Sequence, residues 1–274
     1  MPTHDPIAEH NRLAWDREVL QGNPATVPVS ADRLNAAANG DLLLSLTGGQ
    51  PIPSAWLAGV AGAEVLCLAC GGGQQVPMLA AAGARVMAID NSPRQIQRDV
   101  ETLRSAGLQA DVSLGDMRDL SQIPNASFDR VFVGLGTQFV PDPEPVWRGA
   151  SRVLRPGGEL IAAIVNPIGY TLDWLDYKAG RLRIAHPLPY SDLGSLSREE
   201  RNARFDPGDP LEFSHTLERQ IGGILASGLL LTGFREDVAA EELSAAYFPT
   251  YFLLRAAKPS SEPNGSEMDM SVAR

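Results

Sequence analysis

The stretch Val65-Leu66-Cys67-Leu68-Ala69-Cys70-Gly71-Gly72-Gly73 is an apolar run that breaks into three glycines. Glycine has no side chain, so backbone amides in such a turn can close directly on a ligand. A second feature stands about one strand–helix–strand unit later. Asp90 closes the apolar run Val86-Met87-Ala88-Ile89, with Asn91 beside it. A carboxylate at the end of that second strand can bind two ribose hydroxyls. A glycine turn alone is weak evidence, because a plain tight turn uses the same residues. The acid at this distance makes the pair informative.

Two further stations follow in order. Gly115-Asp116-Met117 comes after a third apolar run, where a carboxylate can accept from an adenine amino group and a methionine can cover the ring. Phe128-Asp129-Arg130-Val131-Phe132-Val133-Gly134 makes a fourth run with its exit loop, and Val153-Leu154-Arg155-Pro156-Gly157-Gly158-Glu159-Leu160 leads into a fifth. Taken singly, Asp116 and Asp129 read as solvated turn acids. Their order along one chain carries the weight.

These residues need a scaffold, and the pattern around them predicts one. Strands are expected over 65–69, 85–89, 110–114, 130–133 and 159–165, with helices over 75–82, 93–105 and 145–153 between them. Asn91-Ser92 caps the second of these helices and Pro93 fits its first turn. Pro156-Gly157-Gly158 is read as the stop of the third. Alternation of this kind builds a parallel sheet covered on both faces. Residues 7–21 predict an N-terminal amphipathic helix, and 22–62 a less regular stretch. Residues 166–213 break the pattern and carry Tyr170, Trp174, Tyr177 and Tyr190, so they read as a structured insertion. A helix over 216–227 and strands over 229–234 and 250–257 complete the core. The expected division is a helical cap (1–62), a cofactor-binding core (63–165), an insertion that recognises substrate (166–213), the rest of the core (214–258) and a disordered polar tail (259–274).

Composition narrows the function. Of 274 residues, 44% are hydrophobic and 20% charged, enough for a real core. The net charge of −10 disfavours nucleic acid and anionic membrane surfaces as partners. No run is long and apolar enough for a membrane span, and residues 1–10 lack the order of a signal peptide, so a cytoplasmic protein, monomer or homodimer, is expected. Cys67 and Cys70 have C-x-x-C spacing, but further zinc ligands are missing and glycines follow where a redox motif would open a helix. They are read as reduced packing residues, and no metal is required.

The ordered set from Val65 to Leu160 resembles the class I S-adenosylmethionine-dependent methyltransferases, within them the small-molecule group with the L-R-P-G-G signature (methyltransferase type 11-like). Asn11-Arg12-Leu13-Ala14-Trp15-Asp16 is similar to the opening helix that lies over the cofactor in some members. The resemblance implies a Rossmann-like doubly wound α/β sheet of seven strands, mostly parallel with the last antiparallel, and S-adenosyl-L-methionine as cofactor. It implies that Ala69, Cys70, Gly71 and Gly73 line the methionine and ribose side and that Asp90 and Asn91 hold the ribose. Asp116 and Met117 would hold adenine, and Gly134 or Leu135 would lie near the methionine moiety. Two positions depart from the family: Cys67 stands for its usual acid and Ala69 for its usual glycine. The alternative they support is a cofactor-binding protein of the same fold without transferase activity.

The implied reaction is methyl transfer to a small-molecule acceptor, achieved chiefly by aligning the nucleophile with the methyl and sulfur. A base helps only where the acceptor is a hydroxyl. His186, His215 and Tyr170 are the candidates for catalytic roles, each with a structural role as its competitor. Tyr170, Trp174, Tyr190 and His186 are the expected pocket walls, against the alternative of a satellite core. Trp15 and Phe139 either close the site or pack. Gly134-Leu135-Gly136-Thr137 stands where methyltransferases of flipped bases or amide nitrogens carry D/N-P-P-Y, which argues against those substrates.

Overall fold

Strand β1 (Glu64–Leu68) shows how the core forms. Val65, Leu66, Cys67 and Leu68 are all fully buried, but alternation sends Val65 and Cys67 into one hydrophobic cluster and Leu66 and Leu68 into another. A strand buried on both faces must be central, and the two clusters are the layers on either side of the sheet. In the computed structural model, which describes residues 5–260, that sheet has seven strands in the order β3-β2-β1-β4-β5-β7-β6. The expected polar tail lies outside the described residues from 261 onward.

Along the chain, α1 (Pro6–Gln21), α2 (Ala31–Ala38) and the single turn α3 (Ser54–Leu57) precede β1. Then come α4 (Gln75–Ala81), β2 (Arg85–Asp90), α5 (Pro93–Ala106), β3 (Asp111–Leu114), β4 (Phe128–Val133), α6 (Glu144–Val153) and β5 (Leu154–Val165). The insertion holds α7 (Trp174–Lys178) and α8 (Arg198–Arg204), after which α9 (Gly223–Ala226), β6 (Leu230–Asp237) and β7 (Tyr251–Ala257) finish the sheet. Strands β1 to β5 run parallel, and β7 is antiparallel to both its neighbours.

Helix α5 follows from its ends. The Ser92 hydroxyl accepts from the Gln95 amide, Pro93 fills the first turn, and Gly107 closes the helix at φ 67°. Gln95, Asp99 and Leu103, spaced by four, form its buried face. That places two polar side chains under the glycine loop.

Three local readings are corrected. Pro156-Gly157-Gly158 does not stop α6. The helix ends at Val153 because Leu154 is already extended and pairs with Phe128, and the three residues lie inside β5. The Gly157 amide donates to the Lys258 carbonyl, and a Cβ on Gly158 would stand 3.0 Å from the Asp129 carbonyl oxygen, so the turn serves a tight strand entrance. The irregular N-terminal stretch contains α2, capped by Ser30 and anchored by buried Leu34 and Ala37. The helix expected over 216–227 begins as a π turn at Glu218–Gly222, where Gly223 lets the backbone meet Trp147.

Candidate active site

Strand order reverses between β1 and β4, and the loops at their carboxyl ends border a crevice. A cavity of about 1110 Å³ opens there. Of the sequence-predicted residues, Ala69, Gly71, Asp90, Asn91, Asp116, Met117, Gly134 and Leu135 line it. Cys70 and Gly73 do not, since both turn into the protein. Cys70 and Cys67 are buried, unpaired thiols in the hydrophobic cluster under the loop.

The glycine loop is held from below. Gly71 N–H donates to Asp90 Oδ2 at 3.1 Å, and Gly73 N–H to Asp99 Oδ1 at 2.8 Å. Asp99 is fully buried, its Oδ2 has no partner, and burial pushes its carboxyl well above the usual range. Sequence reasoning missed this residue, although an acid on the apolar stripe of α5 is a signal. A Cβ on Gly71 would stand 2.8 Å from Asp90 Oδ2, so only glycine permits the first contact. Asp90 also accepts from the Ser92 amide at 2.9 Å. The Asn91 amide also acts on it, so of a carboxylate's roughly four lone-pair sites about one remains unclaimed. Burial pushes Asp90 up to about 6.

The opposite wall of the slot is the loop after β4. A Cβ at Gly134 would collide with the Ala69 carbonyl oxygen, and one at Gly136 would lie 2.5 Å from Ala69 Cβ and 3.4 Å from Met117 Sδ. Glycines at these positions therefore let the loop after β4 pack directly on Ala69, with both loops on the cavity wall. Ala69, at φ 50°, occupies the left-handed region that a glycine would reach without strain. These residues fit a ribose-bearing cofactor: a cavity-lining carboxylate with spare acceptor capacity, glycine-bearing loops that permit a close approach, and a methionine on the same wall.

Asp116 is differently engaged. Arg118 donates to it from its backbone amide and from Nε and Nη2, at 2.5–3.0 Å. The same Nη2 reaches Asp5 Oδ2 at 2.7 Å, and Asp5 caps α1. Helix α1 is thereby fastened over the cavity. Asn91 Nδ2 donates to the Ala8 carbonyl at 2.8 Å, and Asp16 accepts from Ser92 Oγ and the Arg94 amide at the start of α5. Trp15 from α1 meets Phe139 edge-on at 5.1 Å, and both line the cavity.

None of the three catalytic candidates reaches this wall. His215 is buried behind it, its Nε2 3.0 Å from the carbonyl oxygens of Thr137 and Val140, and burial lowers its pKa. His186 Nε2 meets Arg204 at 2.9 Å, and its ring packs on Tyr190. Tyr170 stacks on Tyr190 and donates to Glu212 Oε2 at 2.6 Å. The insertion supplies no residue to the cavity wall; its aromatics pack on one another. The far wall comes instead from the loop around Leu43–Gln50, the turn holding Gln138, the β6–β7 connection and Tyr251. No motif in those segments marks them.

A doubly wound sheet with an antiparallel β7 and a ribose-fitting crevice at its switch point defines a Rossmann-like protein built for a nucleoside cofactor. A family model described as a methyltransferase domain matches residues 66–162. The uncharacterized methyltransferase YbaJ of Bacillus subtilis (strain 168) is 37% identical over 252 residues, spanning 92% of this chain and 98% of that one. A ubiquinone biosynthesis O-methyltransferase of Xanthomonas euvesicatoria pv. vesicatoria (strain 85-10) is 37% identical over 109 residues, 39% of this chain and 45% of its own. A solved S-adenosylmethionine dependent methyltransferase from Mesorhizobium loti shares the fold with a TM-score of 0.58 at 20% identity, over 82% of this chain and 100% of that chain. The chain belongs to the class I S-adenosylmethionine-dependent methyltransferases. Among the described residues, no helix is long and apolar enough to cross a membrane.

Proposed function

We propose that this chain binds S-adenosylmethionine across the carboxyl ends of β1, β2 and β4 and methylates a small molecule held at the far end of the same cavity. The observation that carries the reading is Asp90, a cavity-lining carboxylate clasped by backbone amides that leave it some acceptor capacity. When bound, the cofactor supplies an electrophilic methyl group on a sulfonium sulfur. Asp90 takes the ribose hydroxyls with Asn91 beside it, and Met117 covers adenine. Ala69, Gly71, Gly134 and Leu135 border the methionine side. Asp116 serves the adenine edge only through acceptor capacity that Arg118 leaves, and its main contribution is to hold Arg118 and, through it, α1.

Transfer then depends on alignment and on exclusion of water. Helix α1, with Trp15 against Phe139, roofs the crevice. His215 supports the turn that presents Gln138 and Phe139, while His186 and Tyr170 brace the insertion. A small-molecule acceptor suits a concave cavity partly roofed by a helix, and the partial relative named for ubiquinone biosynthesis supports it. The two buried, unpaired thiols suit a reducing, cytoplasmic setting.

Calorimetric titration with S-adenosylmethionine and S-adenosylhomocysteine tests the reading. Micromolar binding, about −8 kcal/mol, is expected for the wild type, weakened at least about tenfold in Asp90→Ala. No binding by the folded wild type would end it.

A further inference from the structure

The three glycines after β1 direct all their amides to the protein beneath them. Gly71 N–H donates to Asp90 Oδ2, Gly72 N–H to the Gln95 carbonyl at 3.2 Å, and Gly73 N–H to Asp99 Oδ1. A ligand above the triplet therefore meets a loop whose shape is set from below, by two carboxyl groups and one turn of α5. The two carboxyls are not alike. Asp90 lines the cavity and has the amides of Ser92, Gly71 and Asn91 acting on it. Asp99 is fully buried, stands off the cavity wall and has the Gly73 amide alone.

Ionised, Asp99 would be a buried charge with neither a cation nor a second donor. Its Oδ2 has no partner, and no lysine, arginine or histidine pairs with it among the described residues. Gln95, one turn earlier on the same buried face of α5, has an Oε1 that also lacks a donor. The titratable groups that bear on Asp99 are the Cys67 thiol of β1 and Asp90 of β2, and neither is a cation. An unpaired buried charge is costly, and one proton on Oδ2 both removes it and adds a donor where two acceptors lack one. A reversed Gln95 amide would add a donor too, but would leave two carboxylate charges under one loop. Like charges so placed disfavour each other, and the carboxyl with fewer donors keeps its proton.

We infer that Asp99 is a positioning residue of the cofactor site and works as the neutral acid; this rests on the cofactor reading above. Its Oδ1 fixes Gly73, and its Oδ2 hydroxyl supplies the donor that this buried face lacks. Asp90 alone then carries charge to the ribose, and it can stay ionised because the carboxyl nearest it under the loop is uncharged. Two acids on one loop thus take two roles, set by what surrounds each.

The test titrates the full-length chain, Asp99→Asn and Asp99→Leu with S-adenosylhomocysteine between pH 5 and pH 8. Asparagine keeps a carbonyl for Gly73 and a donor in place of the hydroxyl. Asp99→Asn should therefore bind within about threefold of the wild type, with the same pH midpoint, set by Asp90 at about 6. Asp99→Leu takes the acceptor from Gly73 and should bind about tenfold more weakly. Infrared spectra at pH 8 read the proton itself, and hold even if the leucine variant does not fold. Asp90 and Glu212, at about 6 and about 7, are then mostly ionised, and the carbonyl band of a protonated carboxyl should appear in the wild type and be lost in Asp99→Asn. A midpoint about one unit lower in Asp99→Asn would mark the removal of a charge and overturn the neutral acid, as would the same carboxyl band in both proteins. A folded Asp99→Leu that binds like the wild type would overturn the positioning role. Both results leave the cofactor reading standing, whereas a wild type that binds no S-adenosylhomocysteine would overturn that reading and this inference with it.

Discussion

Asp90 Oδ2 accepts the Gly71 amide at 3.1 Å while Oδ1 accepts the Ser92 amide at 2.9 Å, so one carboxylate ties the glycine loop after β1 to the start of α5. The backbone that approaches the cofactor and the side chain that would grip its ribose are thus one unit. Its electrostatics are exposed to pH, because burial sets the Asp90 carboxyl at about 6.

If the ribose hydroxyls are held by the ionised carboxylate, protonation competes with binding. The dissociation constant for S-adenosylhomocysteine should rise about tenfold from pH 7 to pH 5. Calorimetry across that range checks it, with Asp90→Asn expected to be weaker and nearly pH-independent. A flat wild-type profile would show that Asp90 is not the titrating anchor.

Ala69 sits at φ 50°, where its Cβ is strained and a glycine is not. Ala69→Gly should therefore raise stability by about 1 kcal/mol despite the added freedom of the unfolded chain. Gly136→Ala should lower it, since the new methyl would lie 2.5 Å from Ala69 Cβ. Urea unfolding midpoints measure both. A destabilised Ala69→Gly would contradict the strain argument.

Glu212 accepts from Tyr170 in the insertion, and burial, opposed by that bond, pushes it up to about 7. Its folded pKa lies above its unfolded value near 4.5, so the stability it contributes is full below that value and lost as pH rises through 7. Asp90 acts in the same direction between about 4 and 6. The unliganded protein should accordingly be more stable at pH 5 than at pH 8, by on the order of 2 kcal/mol. In Glu212→Gln most of that difference should vanish through a gain at pH 8. Equal stability of the wild type at both pH values would count against it.

His215 touches two carbonyl oxygens of the turn after β4 rather than the cavity. His215→Ala should cost about 1–3 kcal/mol by leaving buried carbonyls without their donor. The pH profile of kcat should keep its shape, since burial already holds the imidazole's pKa low and the ring does not reach the acceptor. A lost limb in that profile would return His215 to a chemical role.

Most of the sheet was legible along the chain, and so was the cofactor end of the cavity. Strands β1 and β2 announce themselves as short apolar runs, α5 by Ser92 and Pro93, and Asp90 by its place at a strand end. Those signals are local, because burial, capping and backbone freedom act within a few residues. The same rules misplaced the start of β5, where Pro156-Gly157-Gly158 carries the ordinary mark of a helix stop. They missed α2, whose alanines give little periodicity to read. They also pointed to the insertion's aromatics and His186, which pack within the insertion, and to His215, which holds the turn after β4.

The sequence by itself determined the fold class, the glycine loop with its strand-end acid, and the family, all of which rest on short segments in a set order. Tertiary structure alone decided which residues line the cavity, that Arg118 occupies Asp116, and that Glu241 and Tyr251 come near each other on its wall. Glu241 follows β6 and Tyr251 opens β7, both more than a hundred residues beyond Asp116. They converge because β7 inserts antiparallel between β5 and β6, a pairing set by the summed burial of a whole sheet and by no residue near them in sequence.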